Sequence, residues 1–186
     1  EEITKLRQKQ AEYLALQNQI NPHFLYNALE AIRTDALLAD CPDIAETTEA
    51  LATFFRYTIS NVQEDVTFSD ELDNTENYFT IQRCRFGDKI TMELQLENEK
   101  LLEARMPKLI LQPLVENAII HGIEPSGQNC HLNLSVFRLS SSRIMITIED
   151  DGIGFDQEMA TRHVGLSNVS KRLTLIDSRN CMEIES

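Results

Sequence analysis

Apolar residues recur at three-four spacing across residues 3–39 and then stop at Cys41-Pro42-Asp43. The stripe runs through Ile3, Leu6, Gln10, Tyr13, Gln17, Ile20, Phe24 and Ala31, with two polar exceptions. That periodicity predicts one long helix whose apolar face needs a partner. Proline disfavours helix in the residue before it and fits the first turn of the helix after it. A second amphipathic helix is therefore expected beyond Pro42, with Ile44, Leu51, Phe54, Phe55, Tyr57, Ile59 and Val62 at its apolar positions. Two helices on a short connection make an antiparallel hairpin. One hairpin buries little surface, so two copies are expected to pair into a dimeric four-helix bundle.

From about residue 66 the period changes. Ser69 is the expected N-cap of a further helix, with Asp70 and Glu71 complementing its dipole, and Gly87 ends that helix. Residues 90–96 alternate with period two and predict a strand. A helix over about 106–121 follows, with Pro107 in its first turn. Two strands, 131–139 and 143–149, are joined by Ser140-Ser141-Ser142. A helix over 166–176 and a strand starting at 181–185 complete the pattern. Strands interleaved with helices predict an α/β sandwich. The chain as a whole reads as α+β, a hairpin over 1–65 and a second domain over 66–186.

The formal charge of −13 disfavours nucleic acid as a partner, because such binding needs a positive face to release phosphate counterions. A local basic pocket could still bind a nucleotide. Apolar content of 42% is enough for a core. No apolar run approaches the roughly 18–20 residues that cross a bilayer, and residues 1–5 lack the apolar stretch of a signal peptide. The start is already helical in pattern, so further sequence is expected upstream. Cys41, Cys84, Cys130 and Cys181 lie far apart with no CxxC spacing, and read as reduced thiols of a cytosolic protein.

Three segments carry chemistry. The first is Gln17-Asn-Gln-Ile-Asn-Pro-His-Phe-Leu-Tyr-Asn-Ala-Leu29, in which His23 follows a proline inside a helical pattern. Pro22 is expected to bend or loosen the helix near Asn18. Imidazole is a good nucleophile near neutral pH, although His23 alone reads more readily as a polar residue on a helix face. The second is Leu109-Ile-Leu-Gln-Pro-Leu-Val-Glu-Asn-Ala-Ile-Ile-His-Gly122, an apolar helix carrying Glu116, Asn117 and His121. Asn117 and His121 share a face at a spacing of four. A neutral amide oxygen suits Mg²⁺, and a buried hydrogen-bonded pair explains the same residues. The third is Ile148-Glu-Asp-Asp-Gly-Ile-Gly-Phe-Asp156, followed by Val164-Gly-Leu-Ser-Asn-Val169. There a strand delivers Asp150, and Gly152 and Gly154 let backbone approach a ligand. Gly165 opens a helix whose N-terminal amides could face phosphate. A tight hairpin turn explains the first of those two glycine segments about as well.

Taken together in this order, the segments resemble the sensor histidine kinases of the LytS/YesM type over nearly the whole chain. Gln19-Ile-Asn-Pro-His-Phe-Leu-Tyr-Asn27 is similar to the phosphoacceptor motif. Gln112-Pro-Leu-Val-Glu-Asn-Ala-Ile-Ile-His-Gly122 is similar to the N-box. Asp150-Asp-Gly-Ile-Gly154 resembles the G1 box, and Gly165-Leu-Ser-Asn-Val-Ser-Lys-Arg-Leu173 the G2 region. Tyr78-Phe-Thr-Ile-Gln-Arg-Cys-Arg-Phe86 resembles the segment these kinases carry after the helical hairpin.

The resemblance implies a dimerisation and histidine-phosphotransfer hairpin, followed by a GHKL (Bergerat-type) α/β sandwich that binds ATP. It implies ATP-dependent autophosphorylation of His23, then transfer to an aspartate of a response-regulator receiver domain. Asn117 would hold Mg²⁺, and Asp150 would contact adenine. Gly152, Gly154, Gly165, Leu166 and Asn168 would shape the nucleotide loops, and His121 would stand near phosphate. Many such kinases carry an acid after the phosphoacceptor, where this chain has Phe24. Glu116, the acid of the N-box helix, is the expected substitute that helps deprotonate or orient His23. Asn27, one turn beyond His23, is a residue that could orient water for dephosphorylation of the regulator, or more plainly a packing residue. The family normally continues past Ser186 with a glycine-threonine turn and a last strand, so the resemblance implies an incomplete catalytic domain. It places the chain on the cytoplasmic side of a bacterial membrane sensor.

Overall fold

The structure, a computed structural model, describes residues 21–60, 65–154 and 164–185. Positions 3–20 of the first predicted helix, Val62 and the stretch 155–163 between the two glycine segments lie outside the described residues. The chain divides into two compact units, Glu1–Ile59 and Ser60–Ser186.

In the first unit α1 is Pro22–Leu38 and α2 is Pro42–Ile59. The helix that bears His23 starts at Pro22. Asn21 is extended, with φ −72° and ψ 102°, and its side-chain oxygen accepts from the backbone N–H of His23 at 3.1 Å and of Phe24 at 3.3 Å. The bend expected near Asn18 lies outside the described residues, and within them Pro22 begins a helix. At the first helical position its missing N–H would have no partner anyway, and its fixed φ is already helical. The helix closes at Asp40, in the left-handed region at φ 55°, where the Cys41 N–H reaches the carbonyl of Ala36 at 2.9 Å. Ala45, Thr48 and Ala52 line one face of α2 at i, i+3 and i+7 and are buried, as are Leu29 and Ala36 of α1. Of the large residues predicted for the apolar face, Leu51, Phe54, Phe55 and Tyr57 are half-buried, and two lie outside instead: Ile44 is 54% exposed and Ile59 is 43% exposed.

In the second unit, β1 (Asp65–Thr67) pairs antiparallel with β3 (Arg105–Pro107), Val66 opposite Met106. α3 is Phe68–Phe86. Its N-cap is Thr67, not Ser69: Thr67 and Asp70 exchange side-chain-to-backbone bonds in a capping box. Gly87, at φ 63°, ends it as expected. The main sheet has the order β2-β4-β5, with β2 (Ile90–Leu96) parallel to β4 (Cys130–Ser140) and β4 antiparallel to β5 (Arg143–Asp150). Cys130, Leu132, Leu134 and Val136 alternate along the buried face of β4. That face meets a core drawn from Phe68, Leu72, Leu101, Ile110, Leu111 and Val169. The last of these belongs to α5 (Val164–Ile176). Helices on one face of a mixed sheet bear out the α+β reading with an α/β sandwich.

Two sequence expectations fail here. The helix predicted over 106–121 starts at Leu111, and α4 is Leu111–Asn117. Met106 and Pro107 are spent on the β1 pairing, and Leu109 turns through φ 58° before the helix can begin. Residues 181–185 form no strand, because they have no ladder partner among the described residues.

Candidate functional site

His23 is the second residue of α1 and is exposed. One turn along, the Asn27 Nδ2 atom lies 3.3 Å from Nδ1 and 3.4 Å from Nε2 of the ring. That amide is within hydrogen-bond reach of the ring. Phe24, next in sequence, is 70% exposed.

The second unit assembles the other segments. α4 ends at Asn117 and continues as a single π-helical stretch, Ala118–Ile123. Such stretches widen the turn by one residue and frequently mark functional sites. Asn117 and His121 are both half-buried.

Asp150 is the last residue of β5 and meets the end of this helix. A Cβ placed on Gly122 would lie 2.2 Å from Asp150 Oδ1. One placed on Gly152 would lie 2.2 Å from both the carbon and the oxygen of the Gly122 carbonyl. Ile153 N–H donates to that same carbonyl at 3.0 Å. Two bare backbones are thus pressed together beside one carboxylate. Burial pushes the Asp150 carboxyl up in pKa; the Gly152 N–H, donating to Oδ1 at 3.1 Å, opposes this, and the charge of Asp151 adds to it. Asp151 is bound in turn to His131, accepting its N–H at 2.6 Å. Gly154 follows at φ 70°. Gly122 stood in the N-box segment but is not one of the residues singled out from sequence. Its need for a missing side chain arises only from the strand end that approaches it.

Glu116 is half-buried on α4. Its charge is felt at Tyr78 of α3, whose hydroxyl is pushed up to about 12, first by burial and then by Glu116. An ion pair between Arg85 and Glu124 joins the end of α3 to the turn after the π stretch. In the first turns of α5, Gly165 is exposed, and a Cβ there would meet nothing within 4 Å among the described residues. Leu166 is buried and Asn168 is exposed, so of these two the helix offers Asn168 to solvent. No group of three or more His, Cys, Asp or Glu that could hold a metal occurs among the described residues.

Residues 11–90 match the family described as histidine kinase. The chain is 37% identical over 171 residues to the sensor histidine kinase YesM of Bacillus subtilis, covering 90% of this chain and 29% of that protein. It is 36% identical over 187 residues to the sensor histidine kinase YpdA of Escherichia coli, covering 95% of this chain and 32% of that protein. The chain thus spans about three-tenths of the length of these relatives. Among solved structures it resembles the histidine kinase domain of a blue-light activated histidine kinase from Erythrobacter litoralis. The TM-score is 0.47 and the identity 14%, over 81% of this chain and 85% of that one.

Proposed function

Since this chain belongs to the histidine kinase family, we propose that it is the catalytic part of a two-component sensor, transferring the γ-phosphoryl group of ATP to His23 and from there to a response-regulator aspartate. The observation that carries the proposal is the open imidazole of His23 at the start of α1, inside the matched segment. In the transfer, a ring nitrogen of neutral His23 gives its lone pair to the γ-phosphorus. The bond from that phosphorus to the β,γ-bridging oxygen breaks, ADP leaves, and the ring N–H proton is lost.

The second unit supplies the nucleotide site. Asp150 accepts from the exocyclic amine of adenine, at a backbone cradle made by Gly122 and Gly152. Gly154, Gly165, Leu166 and Asn168 shape the rest of the site, and His121 stands towards phosphate. Mg²⁺ would supply positive charge that offsets the charge developing on phosphate in transfer. Asn117 would hold it through its side-chain oxygen. Glu116 is the proposed base or orienting acid for His23; Glu116→Gln should slow autophosphorylation and spare ATP binding, and equal loss of both would sink that assignment.

Phe24, Ile32, Leu37, Leu38 and Ile44 remain exposed on the hairpin, and a second copy covering them completes a four-helix bundle. No helix among the described residues is long and apolar enough to cross a membrane, so attachment to a bacterial membrane would come from other parts of the protein. The test is incubation with γ-labelled ATP and Mg²⁺, comparing wild type with His23→Gln. Acid-labile label in the wild type alone is expected, and label that persists in the variant refutes His23 as acceptor.

A further inference from the structure

Glu71 has none of its surface exposed, and its carboxylate is used on one short loop. Oε1 accepts from the N–H of Leu109 at 2.5 Å, and Oε2 accepts from Ile110 at 2.7 Å and Leu111 at 2.9 Å. Three consecutive amides can converge on one anion because Leu109 sits at φ 58°, a conformation that side-chain-bearing residues rarely adopt. The Leu109 carbonyl is engaged as well: it accepts from Nη1 of Arg172, on α5, at 3.4 Å. Lys108, the preceding residue, is also buried, with its ammonium against the Ser60 hydroxyl. The loop is thus held by groups from α3, α5 and Ser60.

Its position gives the clasp a consequence. The last amide it binds, Leu111, opens the helix that ends at Asn117. Arg172 stands seven residues beyond Gly165, about 10 Å along the same helix. Glu71 and Arg172 therefore tie together, through one loop, the two helices that carry opposite parts of the proposed nucleotide site. We propose that Glu71 and Arg172 are positioning residues for ATP: neither touches the nucleotide, and together they set the spacing of α4 against α5. Engagement of nucleotide at the start of α5 is then felt at the amides of residues 109–111. The inference rests on the assignment of ATP to the Asn117–Asp150 site.

The test uses the full chain with a non-hydrolysable ATP analogue and Mg²⁺. Calorimetry gives the affinity, and hydrogen exchange follows the amides of residues 109–111, which exchange only through local opening. Arg172→Met, which keeps bulk and removes the guanidinium, should weaken binding about tenfold and abolish the nucleotide-dependent protection of these amides. Arg172→Lys should recover most of both, because an ammonium can still donate to the Leu109 carbonyl. Glu71→Gln, which exchanges one acceptor oxygen for a donor, should act in the same direction; if it fails to fold, the Arg172 pair decides. A lowered melting temperature with affinity and protection unchanged in Arg172→Met would mean a structural brace only and would overturn the proposal. Failure of the wild type to bind the analogue would overturn the nucleotide-site reading as well.

Discussion

The side-chain amide of Asn27 stands one helical turn beyond His23, its nitrogen 3.3 Å from Nδ1 and 3.4 Å from Nε2 of the imidazole. A ring lone pair that this amide can engage is one that the proposed transfer would use on phosphorus. Asn27→Ala should therefore leave autophosphorylation at or above the wild-type rate. If the amide also orients water at the regulator's phosphoaspartate, dephosphorylation should slow by roughly tenfold, the worth of one neutral hydrogen bond. Both rates are read from labelled protein with a cognate receiver domain. A parallel fall in both would mean that Asn27 serves the helix rather than the chemistry.

The glycines divide by what surrounds them. At Gly152 a methyl group would meet the Gly122 backbone at 2.2 Å, and at Gly122 it would meet the Asp150 carboxylate at the same distance. Gly152→Ala should destabilise the second unit by about 1–3 kcal/mol, as overpacking does, and remove nucleotide binding. Gly165→Ala, with nothing within 4 Å of its Cβ among the described residues, should leave the melting temperature unchanged and weaken nucleotide alone. Thermal melts with and without an ATP analogue separate the two outcomes; an equally unstable Gly165→Ala would contradict the open position.

At the start of α3, Thr67→Ala should cost about 1 kcal/mol, the usual loss for a helix cap. Ser69→Ala should change stability by less than about 0.5 kcal/mol, as surface substitutions do. The cap also predicts a pH dependence. Bonds from the Thr67 hydroxyl and backbone N–H hold the Asp70 carboxyl below its ordinary value. Its contribution is complete above the unfolded-state pKa near 4 and is lost as pH falls through the lowered value. Urea denaturation from pH 7 to pH 3 should show a shallower acid loss in Thr67→Ala than in wild type.

Tyr78 governs the opposite limb. Its hydroxyl is raised from 10.0 to about 12, so the folded state keeps a proton that the unfolded chain gives up. Stability from this residue is complete below pH 10 and declines as pH rises towards 12. The span corresponds to on the order of 2 kcal/mol. Tyr78→Phe should flatten the loss between pH 9 and pH 11 relative to wild type. Identical alkaline profiles would show that Tyr78 does not carry it.

Much of the fold was readable because its punctuation is local. Pro42 and Gly87 act through their own backbone, so the ends they set are found where expected. Pro22 alone left the outcome open, because one proline either kinks a helix or begins one; the Asn21 side chain caps the helix that begins at Pro22. Thr67 displaced Ser69 because pairing with Arg105, 38 residues away, holds Thr67 extended, as an N-cap must be. The start of α4 was hidden for the same kind of reason, since its amides are taken by a carboxylate 38 to 40 residues earlier in the chain. Glu71 read as an ordinary first-turn acid because its neighbour Asp70 is one.

What the sequence determined by itself is the order of chemical parts: a histidine after a proline, an asparagine in an apolar helix, an acid followed by glycines, and a second glycine opening a helix. Periodicity and turn chemistry act over a few residues, so these parts and their elements follow from local pattern. The tertiary structure decided what each part faces. Gly122 needs its bare backbone only because Asp150 and Gly152 arrive against it, and Leu109 can hold a left-handed turn only because Glu71 supplies an anion for its amides. Such relationships come from close approach between segments distant in the chain, where steric exclusion and the cost of a buried, unpaired amide set the terms.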